Sequence, residues 1–270
     1  MKIHVTAQPV FSKGSSTPAV ARTVLQARAL LEAFPFTAST KGAILEVSMS
    51  LMKHFIACEE IRERVAREVV RGRAAIDAGQ VGIERNRFLQ LPGVANLDSE
   101  AESFLHNAKL AVADVGRLFG PLHGKSFDHR FQKIRSWLHG LYGDEDALLL
   151  MLVGDSAWIE RIINMRNVVE HPNDPAGPSV VMNFHVIRHE PLTIASPTWA
   201  LGTSEPTEIL EDMAGIIESI LMLYEDVLVD GILRLHPQSP FTITEIPEHD
   251  RNSSMPIRLV PTLKVGQVLA

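Results

Sequence analysis

The stretch WIERIINMRNVVEHPNDP, residues 158–175, decides how the chain is read. Trp158, Ile162, Met165 and Val169 recur at helical spacing, and the segment then ends in Arg166-Asn167 and His171-Pro172. At about 100° per residue those four apolar side chains fall on one narrow face, the expected core stripe. Glu160, Asn164 and Asn167 lie opposite. Arg166 falls at about 80°, beside Ile163 in an otherwise apolar sector. A guanidinium there needs a carboxylate, carbonyls or a phosphate. Pro172 disfavours the α region for the residue before it, so the helix is expected to end near His171.

The same period extends upstream. The first thirty-odd residues read as irregular, with a short strand in KIHV. Ile44, Val47, Leu51, Phe55, Ile61, Val65 and Val69 then predict a long helix starting after FPFTASTKG. On it, Glu60 precedes Arg64 and Glu63 precedes Arg67 by four, which reads as a charge-paired solvated face. A second helix is expected over Ser99 to Phe119, with Asp98-Ser99 as N-cap candidates and GPLHGKS as its breaker. Phe127, Phe131, Ile134, Leu138 and Leu141 predict a third, closed by Gly143. The fourth runs from Asp144 to the motif, with a break at Gly154-Asp155-Ser156.

After Pro175 the period becomes two. Met182, Phe184 and Val186 alternate with Val181, Asn183 and His185, one face apolar and the other mixed, and LTIASPTWAL is a candidate partner strand. Helical spacing returns from Ser204 through Ile209, Met213, Ile216, Ile220, Tyr224 and Val227. The tail offers two short strand-like runs interrupted by prolines, which suits an edge. The fold expected is mainly α: a helical bundle with a few short β-strands after the motif helix and at the C-terminus. A single domain over residues 1–270, with core helices at about 40–171 and 204–236, is the simplest organisation.

Composition narrows the function classes. A content of 46% hydrophobic and 21% charged residues argues against disorder. No apolar run reaches the length of a membrane span, and the N-terminus lacks a signal-peptide core, so a cytoplasmic protein is expected. The single cysteine, Cys58, has no partner for a disulfide or a zinc site and reads as a small buried hydrophobe. A net charge of -6 excludes a protein that coats nucleic acid over its whole surface, while leaving room for a local basic site.

Arg, a polar residue, three variable residues and His, on a late helix of a helical bundle, resembles the signature of the HEPN superfamily. Here it is Arg166-Asn167-Val168-Val169-Glu170-His171. The resemblance covers six residues, and the bundle matches in class. It implies a homodimer with the site at the interface and RNA as substrate. It further implies metal-independent endoribonuclease activity without cofactors, in toxin–antitoxin or phage-defence systems with an antitoxin or regulatory partner. Other HEPN-like members are non-catalytic nucleotide- or protein-binding modules.

The residue types suit that chemistry. A histidine titrates near neutral pH and transfers protons, whereas arginine matches phosphate with a permanent bidentate fork. On this reading Arg166 binds phosphate, His171 transfers the proton, and Asn167 supports them. One imidazole fills one of two proton-transfer roles, and two copies of His171 in a dimer would fill both. The bland alternatives stand beside it. A histidine at a helix C-terminus is favourable through the macrodipole alone. Arg166 has Glu170 four residues on, or a core carboxylate such as Asp114 or Glu102, as ordinary partners. Glu102 and His106 share a helix face without a third metal ligand. His123, Lys125, Asp128, His129 and Arg130 crowd one turn that reads as solvated, with Lys125 and Arg130 as candidate phosphate contacts. PEHDRNS, residues 247–253, reads as an exposed polar loop.

Overall fold

The computed structural model describes residues 13–83, 89–171, 175, 177–189 and 192–264. The candidate strand KIHV and Pro172 lie outside the described residues. Helix α1 (Pro18–Val20), a π-helical turn (Ala21–Leu25) and α2 (Gln26–Ala33) form one N-terminal helical segment. Then come α3 (Ala38–Asp77), a β1–β2 pair (Gly82–Ile83, Leu89–Gln90), α4 (Leu97–His123), α5 (Phe131–Tyr142) and α6 (Ala147–Glu170). Five short strands follow: β3 (Ser179–Met182), β4 (His185–His189), β5 (Leu192–Ala195), β6 (Thr198–Leu201) and β7 (Thr207–Glu208). The chain closes with α7 (Ile209–Leu235), β8 (Phe241–Glu245) and β9 (Leu259–Leu263).

The helices begin where side chains satisfy their orphan N–H groups. Thr37 accepts from Thr40 N at 3.1 Å, Asp146 from Leu149 N at 3.0 Å and Glu208 from Glu211 N at 2.7 Å. Two end on glycines in positive φ, Gly124 (φ 76°) after α4 and Gly143 (φ 82°) after α5, where a side chain would be strained.

Helix α4 is the centre of the bundle and packs against α3, α6 and α7. Its buried face carries Ala101, Ala108, Ala111, Val115 and Gly116, small residues that let neighbouring helices approach closely. Phe104, Leu105, Leu118, Phe119 and Leu122 fill the spaces beside them. The β3–β6–β7 sheet packs on α6, and its fully buried Trp199 packs on Phe104 with centroids 5.9 Å apart. Asp212 accepts from the Trp199 indole and from both terminal nitrogens of Arg161, tying sheet, α6 and α7 together.

Several sequence expectations are corrected. The N-terminal segment is helical, not irregular. Its buried face includes Arg22, Thr23 and Gln26, so it shows no apolar stripe. Helix α3 starts at Ala38, because Thr37 caps it ahead of the first apolar residue. The hydrogen bonds of two of its charges reach off the helix, Arg64 to Glu100 on α4 and Glu63 to Lys13, while Glu60 still acts on Arg64 and Arg67 on Glu63 through charge. Helix α4 takes Asn96 (φ 53°) before it, and Asp98 and Ser99 lie in its first turn. It runs through Pro121 to His123. Phe127 stands in the loop before α5 and not on it. Helix α6 is unbroken: Ser156 Oγ donates back to Val153 O, and Asp155 accepts from the Trp158 indole, so both residues are satisfied inside the helix. LTIASPTWAL is two strands, β5 pairing with β4 and β6 with β3. Ser204 precedes β7 rather than starting α7. The two tail runs pair with each other, Pro261 facing Ile243.

A buried polar network fastens segments far apart in the chain to α7. Glu225, fully buried, accepts from Arg22 Nε at 3.0 Å and Nη2 at 2.7 Å, from Gln26 Nε2 at 2.8 Å and from Arg258 Nη1 at 2.9 Å. Gln26 Oε1 accepts from the backbone N–H of Arg258 and of Leu259, both at 2.7 Å. A carboxylate taken from water needs this degree of satisfaction. Replacing Glu225 by Gln leaves Arg22 and Arg258 without their shared charge. The expected cost is about 3–5 kcal/mol, read as a lower urea midpoint with unchanged slope.

Candidate functional site at the end of the motif helix

The core stripe of α6 is Ile159, Ile162, Met165 and Val168, one residue offset from the expected Trp158 and Val169, which are half-buried. That offset turns Arg166 towards the protein. Its side chain is 16% exposed and its Nη2 lies 2.9 Å from Glu170 Oε1. Nε and Nη1 are buried with no hydrogen-bond partner. Neither Asp114 nor Glu102 is the partner: Asp114 pairs with Arg117 at 2.8 Å. An incompletely matched guanidinium at a helix end is an electrostatically positive spot.

Lys109 of α4 completes the cluster. Its Nζ donates to Asn167 Oδ1 at 2.8 Å and lies 3.5 Å from Glu170 Oε2. Asn167 is thus held by Lys109, not by His171. The link between Asn167 and His171 is through the backbone, the His171 N–H donating to the Asn167 carbonyl at 2.7 Å. His171 closes the helix with an exposed side chain. Although partial burial opposes it, Lys109 and Arg166 hold the Glu170 carboxyl below the usual carboxylate range. Lys109 was not singled out in the sequence. Its one signal is a lone charge in the otherwise apolar run AKLAVA.

A groove of about 480 Å³ runs between the start of α5 and α6, lined by His129, Arg135, Glu160, Ile163, Asn164 and Asn167 among others. Asn167 faces it, and His171 is not part of its lining. His129 is the second imidazole near the motif. Burial lowers its pKa, Lys109 and Arg130 push the same way, and Asp128 and Glu170 oppose them. The loop carrying it is set against α4 by Gly116. The Phe127 N–H donates to the Gly116 carbonyl at 3.2 Å, and a Cβ at 116 would overlap the Asp128 carbonyl oxygen. Asp128 is pushed down to about 2, chiefly by its hydrogen bond to Arg130.

The loop's other face covers His123. Its side chain is 3% exposed and stacks on Phe119 at 5.0 Å, with Nε2 unpartnered and 3.8 Å from Asp230 Oδ2. Glu102 and His106 are both exposed on α4. The polar loop at 247–253 is mostly exposed, as expected, with Arg251 tied to the Ile246 carbonyl. Among the described residues no group of three or more His, Cys, Asp or Glu is placed to hold a metal, and no helix is long and apolar enough to cross a membrane. Cys58 is buried, which pushes its thiol up. Comparison with known proteins returns no family model, no curated protein and no solved structure that matches the chain.

Burial lowers the pKa of His123, and Arg234 adds to this while Asp230 and Asp146 oppose it. The unfolded imidazole titrates near about 6.5. Below that pH the unfolded chain binds a proton that the folded chain refuses, so stability falls as pH drops from about 6.5 towards the lower folded pKa. His123→Phe fits the aromatic surroundings and removes this titration. Urea midpoints at about pH 7.5 and about pH 5.5 are expected to differ less in the variant than in the wild type.

Replacing Gly116 by Ala is expected to displace the 124–130 loop. The shift would be read as a changed chemical shift and pKa of His129 in NMR titration, with the helical content retained.

Proposed function

We propose that the end of α6 is a metal-independent RNA-cleaving site of HEPN type, with Arg166 holding the phosphate, His171 transferring the proton and Asn167 supporting them. The observation that carries this reading is the Arg166 guanidinium, which spends one nitrogen on Glu170 and leaves two buried nitrogens unmatched beside Lys109. A phosphate oxygen approaching this cluster competes with Glu170 for Arg166, since carboxylate and phosphate both form charge-assisted hydrogen bonds with a guanidinium. The imidazole takes the proton of a ribose 2′-OH, the 2′ oxygen attacks phosphorus, and the 5′ oxygen leaves with a proton from a second group. The products are a 2′,3′-cyclic phosphate and a 5′-OH. A second copy of the chain would bring the second group as its own His171; within one chain, His129 lines the groove that Asn167 faces.

A second reading, a non-catalytic module that binds a nucleotide or a protein, is favoured by two observations. Arg166 is paired with its own helix neighbour Glu170, and His171 stands exposed outside the groove lining. The readings separate in an assay with RNA and excess EDTA. The nuclease reading expects fragments ending in 2′,3′-cyclic phosphate from the wild type. It expects His171→Ala to lose roughly 10²–10⁴-fold in rate, and Arg166→Ala to lose cleavage that Arg166→Lys restores only in part. No cleavage by well-folded wild type leaves the binding module.

A further inference from the structure

The positive charge near the motif does not end at the groove. Between Gly124 and Trp137 the chain carries Lys125, Arg130, Lys133 and Arg135 against one carboxylate, Asp128, in a protein of net charge -6. Two of these cations are accounted for. Arg130 is held by Asp128, with Nε 2.8 Å from Oδ2, and Arg135 by Glu160 at 3.2 Å. Lys125 and Lys133 have no carboxylate in ion-pair distance among the described residues.

Both lysines line a pocket of about 890 Å³ with Phe127, Trp137, Ser126 and Ser136. Lys125 Nζ stands 5.4 Å from the Phe127 ring centroid and 5.8 Å from that of Trp137, within cation–π range. The two rings are 5.5 Å apart and half-buried, so they offer an aromatic edge fixed from behind by Phe119 and His123. At the floor, α5 begins without a side-chain cap and with no acidic residue in its first turn, adding the positive end of the helix to the lysines. Arg130 and Gln132 line both this pocket and the groove that reaches Asn167. The two depressions adjoin at these residues, around the start of α5.

Cations with no carboxylate partner beside an aromatic pair are what a single-stranded nucleic acid needs: phosphate contacts without sequence reading, and a surface against which an unpaired base rests. A duplex presents no free base face to Trp137. We propose that the cup of Lys125, Phe127, Lys133 and Trp137 is a subsite for one nucleotide of single-stranded RNA. Its phosphate meets the two lysines and its base lies against the aromatic edge, while the strand continues along α5 to the end of α6. The proposal rests on the reading that the α6 end acts on RNA, and it names the form of that RNA.

The test reads binding, not cleavage, and so stands apart from the fate of the nuclease reading. The probe is a fluorescein-labelled 2′-O-methyl uridine dodecamer, which has no 2′-OH and cannot be cut. Fluorescence anisotropy of the full chain is expected to show binding that a blunt duplex of the same length does not match. Lys125→Glu/Lys133→Glu, both exposed positions, is expected to weaken binding by tenfold or more. It should also flatten the dependence of log K on log salt by about 0.7, the share of one phosphate contact. Binding is expected to quench tryptophan fluorescence in the wild type and in Arg166→Ala, and not in Trp137→Phe. Inorganic phosphate at matched ionic strength is expected not to displace the probe. Unchanged affinity and salt slope in the lysine variant, equal binding of the duplex, displacement by free phosphate, or no binding by the wild type would each overturn the subsite. Binding through the lysines without any cleavage of unmodified RNA would keep the subsite and remove the nuclease.

Discussion

A carboxylate with no exposure to water governs this fold. Glu225 sits on α7 in the middle of the bundle and is accepted there because two guanidiniums and an amide converge on it. One guanidinium comes from the N-terminal helical segment and the other from Arg258, the residue before β9. Segments far apart in the chain are thereby fixed to the same helix, and Gln26 repeats the link by binding the backbone at Arg258 and Leu259. The π-helical turn at Ala21–Leu25 lies within the same network. The Tyr224 hydroxyl rests between Ser48 Oγ at 2.8 Å and the Thr23 carbonyl at 3.3 Å. Such networks specify one arrangement more than they add stability, because an apolar replacement packs without the desolvation cost.

With α7 anchored, α4 is held between it and α3, and α4 presents the site. It sends Lys109 to the end of α6 and offers Gly116 as the seat of the loop that carries His129. The motif helix contributes Arg166, Asn167 and Glu170, but their partners are decided by α4. The cluster is a chain of alternating charge, Arg166 to Glu170 to Lys109, ending on the Asn167 amide. Its cations outnumber its carboxylate. That imbalance continues past His129 to Lys125 and Lys133, which have no carboxylate in ion-pair distance among the described residues.

How much of this was legible beforehand varies by element. The apolar period placed α3, α4 and α7 in register with their cores, because each buries a stripe of hydrocarbon and periodicity records that directly; on α6 the stripe is offset, with Ile159 and Val168 buried where Trp158 and Val169 were expected. It failed at the N-terminal segment, where Arg22, Thr23 and Gln26 occupy the buried face and disguise a helix as a polar loop. It failed again at Gly154-Asp155-Ser156, where turn-forming residues are satisfied by Val153 and Trp158 within an unbroken helix. The motif was visible as six residues, and so was its ordinary explanation, the Arg166–Glu170 pair. Lys109 was not, since no local pattern connects a lysine on one helix to an asparagine on another.

By itself the sequence determined the helical character of α3 to α7, where α6 stops and which residue types stand at its end. Those are local consequences of spacing, of Pro172 and of capping chemistry. Tertiary structure alone decided that Arg166 turns inward with two nitrogens unmatched, that Asn167 belongs to Lys109 while His171 stands exposed, and that the 124–130 loop folds back on Gly116. The reason is physical. A helix fixes the angle between its own side chains, but the partner of a buried charge is chosen by whichever element packs across from it. That choice depends on the small residues of α4 and on the network around Glu225, far from the motif in the chain.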